Sequence, residues 1–392
     1  MGIRIAVALA LTLALLAPAR ADMRAEVAAL APDALVLVVD ADGEVLVERN
    51  ADEPFVPASV AKIVTAWLAM EALGGEHRFE TVFHLDADRV LYVRGGGDPF
   101  LVSEELALLA PRLLSATGPE PFARMVLDAA RHPVDLRIPG IEDSSEAFDA
   151  ANGALAVNFN TIHAVRRGAT VRSAEEQTPI TPLAIDEFRA RGPNGRGRIG
   201  LGESETGVRY AGEVLAAMIE RGGGVVEGDI AIGTVPPGLG PVYVHRQSRD
   251  LSEIVRLMLL GSNNFIANQV FLEVGAHLSG EPASLPKSRA ALDALLARHG
   301  LDGEIALVEG SGISRESRFT ARGMVGVLDR FAPHAALLRR SEGGSRYKTG
   351  TLSGVSTLAG YVGGADGPRF VISVRGGGRL RFRILQAIER GL

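Results

Sequence analysis

Three short motifs contain side chains that could carry out acyl transfer. In chain order they are Ser59-Val60-Ala61-Lys62, Ser262-Asn263-Asn264 and Lys348-Thr349-Gly350-Thr351. In the first motif the serine precedes the lysine by three residues, so on a helix both side chains lie on one face. Because a serine hydroxyl is a weak nucleophile until a neighbouring base removes its proton, this spacing predicts Ser59 as the nucleophile and Lys62 as its base.

The second motif supplies polar groups at a predicted turn before a helix. We predict that the hydroxyl of Ser262 relays a proton toward the leaving amine of a substrate. The side-chain amide of Asn264 carries donors and an acceptor, so it can hydrogen-bond a peptide substrate. On this interpretation Ser262 and Asn264 act as catalytic residues together with Ser59, Lys62 and Lys348.

The third motif is predicted to lie on a strand that holds the substrate. Gly350 has no side chain, which lets a substrate backbone lie against the strand. Lys348 and Thr349 are in a position to bind a substrate carboxylate. The backbone N–H groups of Ser59 and Thr351 would form an oxyanion hole beside the positive end of the helix dipole. We therefore predict Thr349, Gly350 and Thr351 as substrate-binding residues.

Lysine is scarce in this chain, which sharpens the interpretation of two motifs. Lysine and arginine together number 41, yet the only lysines are Lys62, Lys287 and Lys348. Arginine stays protonated, whereas a lysine buried near other cations can lose its proton and act as a base. The alternative is structural, with Ser59 capping a helix, Lys62 at the surface and Gly350 in a turn.

The elements that must hold these motifs can be predicted from periodicity. Apolar residues alternate over residues 34–39 and 45–47 around Asp42-Gly43, which predicts a hairpin. A helix is predicted over residues 59–73, ending at two glycines. Further strands are predicted over residues 358–362 and 370–374, and a last helix over residues 382–390. Strands at both ends of the chain would share one antiparallel sheet with helices on its faces, an α+β fold.

The middle of the chain differs in its pattern of predicted elements, which are short strands and helices separated by Gly- and Pro-rich breaks. We interpret residues 79–241 as an inserted accessory α+β region. Residues 22–78 and 242–392 would then form a discontinuous catalytic domain. Within the insertion, the run Gly95-Gly96-Gly97-Asp98 lacks the Lys-Ser/Thr of a phosphate loop, and we interpret Asp98 as the cap of a turn.

The beginning of the chain and its composition predict an exported protein. Arg4, an apolar run over residues 5–16 and Ala19-Arg20-Ala21 have the order of a signal peptide over residues 1–21, cleaved near Ala21. The run is too short to span a bilayer, and no later stretch predicts a transmembrane span. The formal net charge of −6, with acidic and basic residues spread along the chain, argues against a nucleic-acid-binding surface. The absence of cysteine excludes disulfides and thiol catalysis.

The residues resemble a known family, the class C low-molecular-mass penicillin-binding proteins, which are D-alanyl-D-alanine carboxypeptidases and endopeptidases. The combination of S-x-x-K, a serine-asparagine motif and K-T-G is a signature of penicillin-binding proteins and β-lactamases. The similarity extends beyond the three motifs to three further segments: residues 91–101 (LYVRGGGDPFL), Asn158-Phe159-Asn160, and Glu309-Gly310-Ser311-Gly312 followed by Ser314-Arg315. It also continues from the third motif through residues 348–361 (KTGTLSGVSTLAGY).

The resemblance implies a transpeptidase-like domain of the penicillin-binding-protein/β-lactamase type. It also implies cleavage of D-Ala-D-Ala peptides or D-amino-acid crosslinks in peptidoglycan, in the periplasm. Ser59 would form the acyl-enzyme, and β-lactams would acylate the same serine. The stretch between the first two motifs is short for the family, and Ile313 stands where the family has leucine.

Two other functions share parts of this pattern. A serine β-lactamase has the same motifs but needs a fast deacylating water, and the inserted region argues against it. A non-catalytic peptidoglycan-binding protein would not need the intact catalytic set. No organic cofactor is expected, and the scattered histidines predict no metal site.

Overall fold

The computed structural model describes residues 22–133 and 135–392, so the predicted signal peptide lies outside the described residues. The helices are α1 (22–30), α2 (Ala61–Leu73), α3 (Ser103–Thr117), α4 (Pro182–Arg191), α5 (Ser204–Arg221), α6 (Leu251–Gly261), α7 (Asn264–Ser279), α8 (Leu285–Arg298), α9 (Ala321–Phe331) and α10 (Arg379–Gly391). The strands are β1 (Leu35–Val39), β2 (Val45–Arg49), β3 (Glu80–Leu85), β4 (Val90–Gly95), β5 (Arg124–Asp128), β6 (Thr161–Arg167), β7 (Thr170–Ser173), β8 (Gly195–Gly200), β9 (Ile230–Ile232), β10 (Pro241–Arg246), β11 (Ile305–Ala306), β12 (Arg318–Phe319), β13 (Arg339–Arg340), β14 (Arg346–Leu352), β15 (Val355–Tyr361) and β16 (Arg369–Arg375).

The described residues divide into two compact units. The first unit consists of residues 22–67, Leu295–Val308 and Gly312–Leu392, and the second of Leu68–Ala294 and Glu309–Ser311. Helices α6 and α7 belong to the second unit, whereas the sequence interpretation assigned them to the catalytic domain. The predicted domain boundaries themselves stay a prediction.

The first unit is built on a six-stranded antiparallel sheet. Its strand order is β13-β14-β15-β16-β1-β2, and Val36 of β1 lies opposite Ile372 of β16. The predicted hairpin is confirmed by β1 and β2, which pair antiparallel. The prediction that strands from both ends of the chain share one antiparallel sheet is also confirmed. The third motif lies on β14, which pairs with β15 and is separated by it from β16.

Helices cover the sheet of the first unit because its inward-facing side chains are apolar. One core cluster joins α1, α10 and the sheet, with members Met23, Val27, Val36, Val38, Leu358, Phe370, Ile372, Ile384, Leu385 and Ile388. Helix α9 packs against β1 and β16, and the hydroxyl of Tyr361 on β15 donates to the carbonyl of Leu328 on α9 at 2.6 Å. The last helix begins at Arg379, three residues earlier than predicted, so Arg381 is helical.

The second unit contains two sheets and several helices. The five-stranded sheet has the order β10-β3-β4-β5-β9 and the three-stranded sheet the order β7-β6-β8. Strand β5 runs parallel to β4 and β9, whereas the other pairs are antiparallel. Side chains from these sheets and from α3, α4 and α5 form one apolar core. The predicted α+β class is therefore confirmed.

A helix that crosses a bilayer needs about 20 predominantly apolar residues. Over residues 22–133 and 135–392, no helix combines the length and the apolar character that crossing a membrane requires.

Candidate active site

The first motif begins on a tight turn that leads into α2. Residues Ala58–Val60 form one 3-10 turn, and α2 follows directly at Ala61. Ala58 has φ of +49°, which is unusual for a residue with a side chain and marks a strained backbone. Such strain persists only where the surrounding structure holds it, and it lies here immediately before Ser59.

Ser59 and Lys62 are in direct contact, as their spacing predicts. Lys62 Nζ lies 3.1 Å from Ser59 Oγ. Lys62 has no solvent exposure, whereas Ser59, the middle residue of the turn, is half-buried. A buried amine within hydrogen-bond distance of a hydroxyl has the geometry of a base paired with a nucleophile.

The strand that carries the third motif packs directly against this turn. The hydroxyl of Thr357 on β15 donates to the carbonyl of Pro57 at 2.7 Å. A Cβ on Gly350 would lie 2.2 Å from Thr357 Oγ1 and 2.6 Å from the Pro57 carbonyl. Only glycine permits this approach at position 350. Within the first unit, the structure therefore brings Ser59 and Lys62 together with the third motif.

Lys348 is almost completely buried on β14. It has 3% exposure, and its Nζ donates to the carbonyl of Thr349 at 2.9 Å. Burial lowers the pKa of Lys348 to about 8, and the nearby positive charges of Arg339 and Arg381 act in the same direction. Near neutral pH its ammonium group is charged and suited to bind a carboxylate. The predicted substrate-binding threonines flank Gly350, with Thr349 half-buried and Thr351 exposed.

The second motif forms the junction between α6 and α7 in the second unit. Ser262 ends α6 in a left-handed conformation with φ of +52°. The side chain of Asn263 accepts from the backbone N–H of Ile266 at 3.0 Å and so caps α7. Asn264 Nδ2 donates to the carbonyl of Phe148 at 3.4 Å. The predicted turn before a helix is confirmed, while the approach of Ser262 and Asn264 to Ser59 stays a prediction.

Asp98 behaves as the sequence predicts, as the acceptor of a turn in the second unit. Its carboxylate accepts from the backbone N–H of Phe100 at 2.8 Å and from Gln247 Nε2 at 2.8 Å. Burial raises the pKa of Asp98 to about 6. Both acceptor oxygens bind groups of the second unit, so Asp98 has a structural explanation.

Sequence reasoning missed Arg381, a buried arginine that contacts the third motif. Its Nη1 lies 3.0 Å from Thr351 Oγ1 and also contacts the carbonyl of Gly350. The sequence contains a signal for its burial. Arg381 lies three, four and seven residues before Ile384, Leu385 and Ile388, which is the spacing of one helix face. The predicted helix began at Phe382, so this position was not included.

Acidic and imidazole side chains are the usual metal ligands of a protein that has no cysteine. In the part of the chain that the structure describes, no group of three or more such residues has the geometry to hold a metal ion.

Two curated proteins with sequences similar to this chain are named D-alanyl-D-alanine carboxypeptidases. A D-alanyl-D-alanine carboxypeptidase of Actinomadura sp. (strain R39) is 28% identical over 415 residues, covering 85% of this chain and 75% of that protein. The D-alanyl-D-alanine carboxypeptidase DacB of Haemophilus influenzae is 23% identical over 389 residues, covering 83% of this chain and 81% of that protein.

Among solved structures, penicillin binding protein 4 (dacB) of Haemophilus influenzae has a similar fold. Its crystal structure matches with a TM-score of 0.74 at 21% identity, covering 93% of this chain and 97% of that chain. Its complex with a novel β-lactam matches with a TM-score of 0.70 at the same identity and coverage. The fold predicted from the resemblance is therefore confirmed.

A protein-family model matches most of this chain. The model described as the D-Ala-D-Ala carboxypeptidase 3 (S13) family matches residues 21–185 and 199–343, well over half of the chain. The order of motifs, the contact of Ser59 with Lys62 and the buried Lys348 agree with an acyl-transfer site. The chain therefore belongs to the D-Ala-D-Ala carboxypeptidase 3 (S13) family and is a serine-type carboxypeptidase of the penicillin-binding kind.

Proposed function

We propose that this chain cleaves the peptide bond between the two D-alanines of peptidoglycan stem peptides through an acyl-enzyme on Ser59. The observation that carries the proposal is the contact of 3.1 Å between Ser59 Oγ and Lys62 Nζ, with Lys62 fully buried. A lysine amine within hydrogen-bond distance of the hydroxyl is placed to accept the serine proton.

Acylation follows from these groups. Lys62 takes the proton of Ser59 as Oγ attacks the carbonyl carbon of the penultimate D-alanine. The N–H groups of Ser59 and Thr351 donate to the oxyanion that forms. The C–N bond then breaks, and the amine of the terminal D-alanine leaves after receiving a proton through Ser262. Water adds to the ester, releases the shortened peptide and returns the proton to Ser59.

Lys348 and Thr349 account for the recognition of a free carboxylate. The terminal D-alanine carries one negative charge, and the Lys348 ammonium is a buried cation in the same motif as Thr349. A charge-assisted hydrogen bond in such a buried position is stronger than one between neutral groups. Asn264 would hydrogen-bond the stem peptide on the other side of the scissile bond. Peptides crosslinked through D-amino acids are substrates of the same site.

β-Lactams are proposed as inhibitors that enter the same reaction. The lactam carbonyl takes the position of the scissile carbonyl, and the ring opens on Ser59 without losing a leaving group, so deacylation is slow. The β-lactam complex of the Haemophilus influenzae protein supports this proposal by analogy of fold.

Export to the periplasm is part of the same proposal. The apolar run and small residues before Ala21 support a cleaved signal peptide. N-terminal sequencing of the protein recovered from the periplasm should begin near Asp22, and a cytoplasmic protein with an intact N-terminus would contradict export.

Mass spectrometry after incubation with benzylpenicillin tests the nucleophile. We expect one penicilloyl adduct on the peptide that contains Ser59, and none in Ser59→Ala. The matched control is Ser353→Ala, an exposed serine in the loop after β14, which should acylate normally. Release of D-alanine from a D-Ala-D-Ala peptide should disappear only in Ser59→Ala.

Two results would contradict the proposal. An adduct at another residue would exclude Ser59 as the nucleophile. Rapid steady-state hydrolysis of nitrocefin without D-alanine release would favour the serine β-lactamase instead.

A further inference from the structure

A guanidinium group lies buried beneath the third motif. Arg381 has 8% exposure. Its Nη1 lies 2.5 Å from the carbonyl oxygen of Gly350, 3.0 Å from Thr351 Oγ1 and 3.1 Å from the carbonyl oxygen of Thr357. One nitrogen thus reaches two neighbouring strands at the position where Gly350 and Thr357 are opposite each other.

The surroundings of Arg381 make a purely structural explanation costly. These hydrogen-bond partners are neutral oxygens, and within the described chain no carboxylate forms an ion pair with Arg381. The same face of α10 carries Ile384, Leu385 and Ile388, all buried. A charge in such a position loses hydration, and burial lowers the pKa of Arg381. A neutral amide could tie two strands together without that loss.

The carbonyl that Arg381 contacts, that of Gly350, shares its peptide bond with the N–H of Thr351. The carbonyl of Gly350 and the N–H of Thr351 belong to one planar trans group, so they point in opposite directions. A cation that binds the oxygen polarises the group and strengthens the N–H as a donor, as in a chain of hydrogen bonds. Strand β14 pairs with β15 on one side and with β13 on the other. Strand β13 reaches only Arg346 and Tyr347, so on that side no strand of the described chain pairs with β14 at Thr351.

We propose that Arg381 is a positioning residue that orients and polarises the Gly350–Thr351 peptide group, so that the Thr351 N–H becomes a strong donor to the oxyanion. The inference rests on the proposed function, in which this N–H is one of two oxyanion donors. Arg381 acts through the peptide group and the Thr351 hydroxyl and does not touch the substrate.

The same cation acts on a second group of the motif. Arg381 contributes to the lowered pKa of Lys348, after burial and Arg339. One buried charge on α10 therefore affects both the backbone and the cation of the motif on β14. This explains why a helix remote in sequence carries a charge on its apolar face.

Infrared spectroscopy of the acyl-enzyme separates this role from a structural one. The stretching frequency of the ester carbonyl falls as its hydrogen bonds strengthen, so it reports the oxyanion hole in the penicilloyl-enzyme. We expect Arg381→Met to raise this frequency. Its acylation rate constant should fall about 10- to 100-fold, less than the roughly 100- to 1000-fold loss when an oxyanion donor is removed outright. The dissociation constant of the initial penicillin complex should change much less.

The matched control is Arg383→Met, because Arg383 lies on the same helix and is exposed. It should leave the ester frequency and the acylation rate unchanged. Arg381→Lys keeps a cation that reaches fewer oxygens, so its frequency should lie between those of wild type and Arg381→Met. If Arg381→Met does not fold, the comparison of Arg381→Lys with wild type decides: a raised frequency supports the proposal and an equal one overturns it.

The outcomes also distinguish the two proposals. A wild-type protein without an adduct on Ser59 overturns the proposed function and this inference with it. An adduct on Ser59 with the same carbonyl frequency in wild type and Arg381→Met overturns the role of Arg381 alone.

Discussion

Lys62 and Lys287 are the same side chain in different surroundings. Lys62 is fully buried against Ser59, whereas Lys287 Nζ donates to the carbonyls of Gly280 and Pro282 near the surface. We propose that this difference in burial and partner, rather than residue type, is what makes Lys62 the base. Lys287 therefore provides a matched control for any substitution of Lys62.

Replacement of Lys62 by arginine should remove the base while keeping a positive charge. Because arginine does not lose its proton, we expect acylation by benzylpenicillin to slow by about 100-fold or more, the usual contribution of a general base. Lys287→Arg should acylate at the wild-type rate. Stopped-flow acylation and thermal melting of both variants provide the measurement. Acylation of Lys62→Arg at the wild-type rate would exclude Lys62 as the base.

The lowered pKa of Lys348 predicts a pH dependence. With a pKa of about 8, the ammonium is charged below that pH and loses its charge as the pH rises through it. We therefore expect kcat/KM for a D-Ala-D-Ala peptide to fall above about pH 8. A peptide whose terminal carboxylate is methylated should lack this alkaline decrease, because it has no charge to bind. The same decrease with both substrates would assign the titration to another group.

At the scale of elements, the close packing of β14 on the turn before α2 brings the two motifs of the first unit together. Ala58 holds a strained conformation, and a Cβ on Gly312 would lie 2.0 Å from its carbonyl oxygen. A Cβ on Gly350 would lie 3.0 Å from Ala58 Cβ. Glycines therefore make room for the turn on two sides, which explains how a strained residue is held beside Ser59.

Gly350→Ala should separate β14 from this turn. The new methyl group would overlap Thr357 Oγ1 and the carbonyl of Pro57, so overpacking should cost about 1–3 kcal/mol of unfolding free energy. Acylation should slow as well, because the proposed oxyanion donors on β14 and at Ser59 would move apart. Gly377→Ala is the control, since a Cβ at that position would have no atom within 4 Å. Chemical denaturation and penicillin acylation measure both effects, and wild-type behaviour of Gly350→Ala would contradict the packing argument.

At the scale of the whole molecule, the two ends of the chain are joined by one sheet. Strand β1 pairs with β16 along its full length, and Val36 and Ile372 are both fully buried. The site of the first unit therefore depends on pairing between segments more than 300 residues apart in sequence. Loss of apolar contact there should weaken the sheet that carries the third motif.

Ile372→Ala tests this dependence. Truncation of a buried isoleucine typically costs about 2–5 kcal/mol, so we expect a lower melting temperature and faster loss of penicillin acylation on heating. Acylation at low temperature should persist, since Ile372 lies on β16, two strands away from β14. Ile232→Ala is the control because Ile232 is 40% exposed. An unchanged melting temperature of Ile372→Ala would show that the terminal pairing adds little stability.

Local spacing made much of the fold and site predictable. The three-residue separation of Ser59 and Lys62, the hairpin around Gly43 and the turn at Ser262 are set by neighbouring residues, and the structure has each of them. The start of the last helix was predicted less accurately, because α10 begins three residues before its predicted start. Helix ends depend on caps and packing, which periodicity alone does not contain.

The identity of the reactive groups and their spacing within each motif follow from the sequence alone, because a helical turn fixes the distance between residues three apart. Tertiary structure decided the burial of Lys348, the strained turn at Ala58 and the contact of Arg381 with β14. These features arise from packing between segments distant in sequence, and desolvation, which shifts the pKa of a side chain, exists only once that packing is formed.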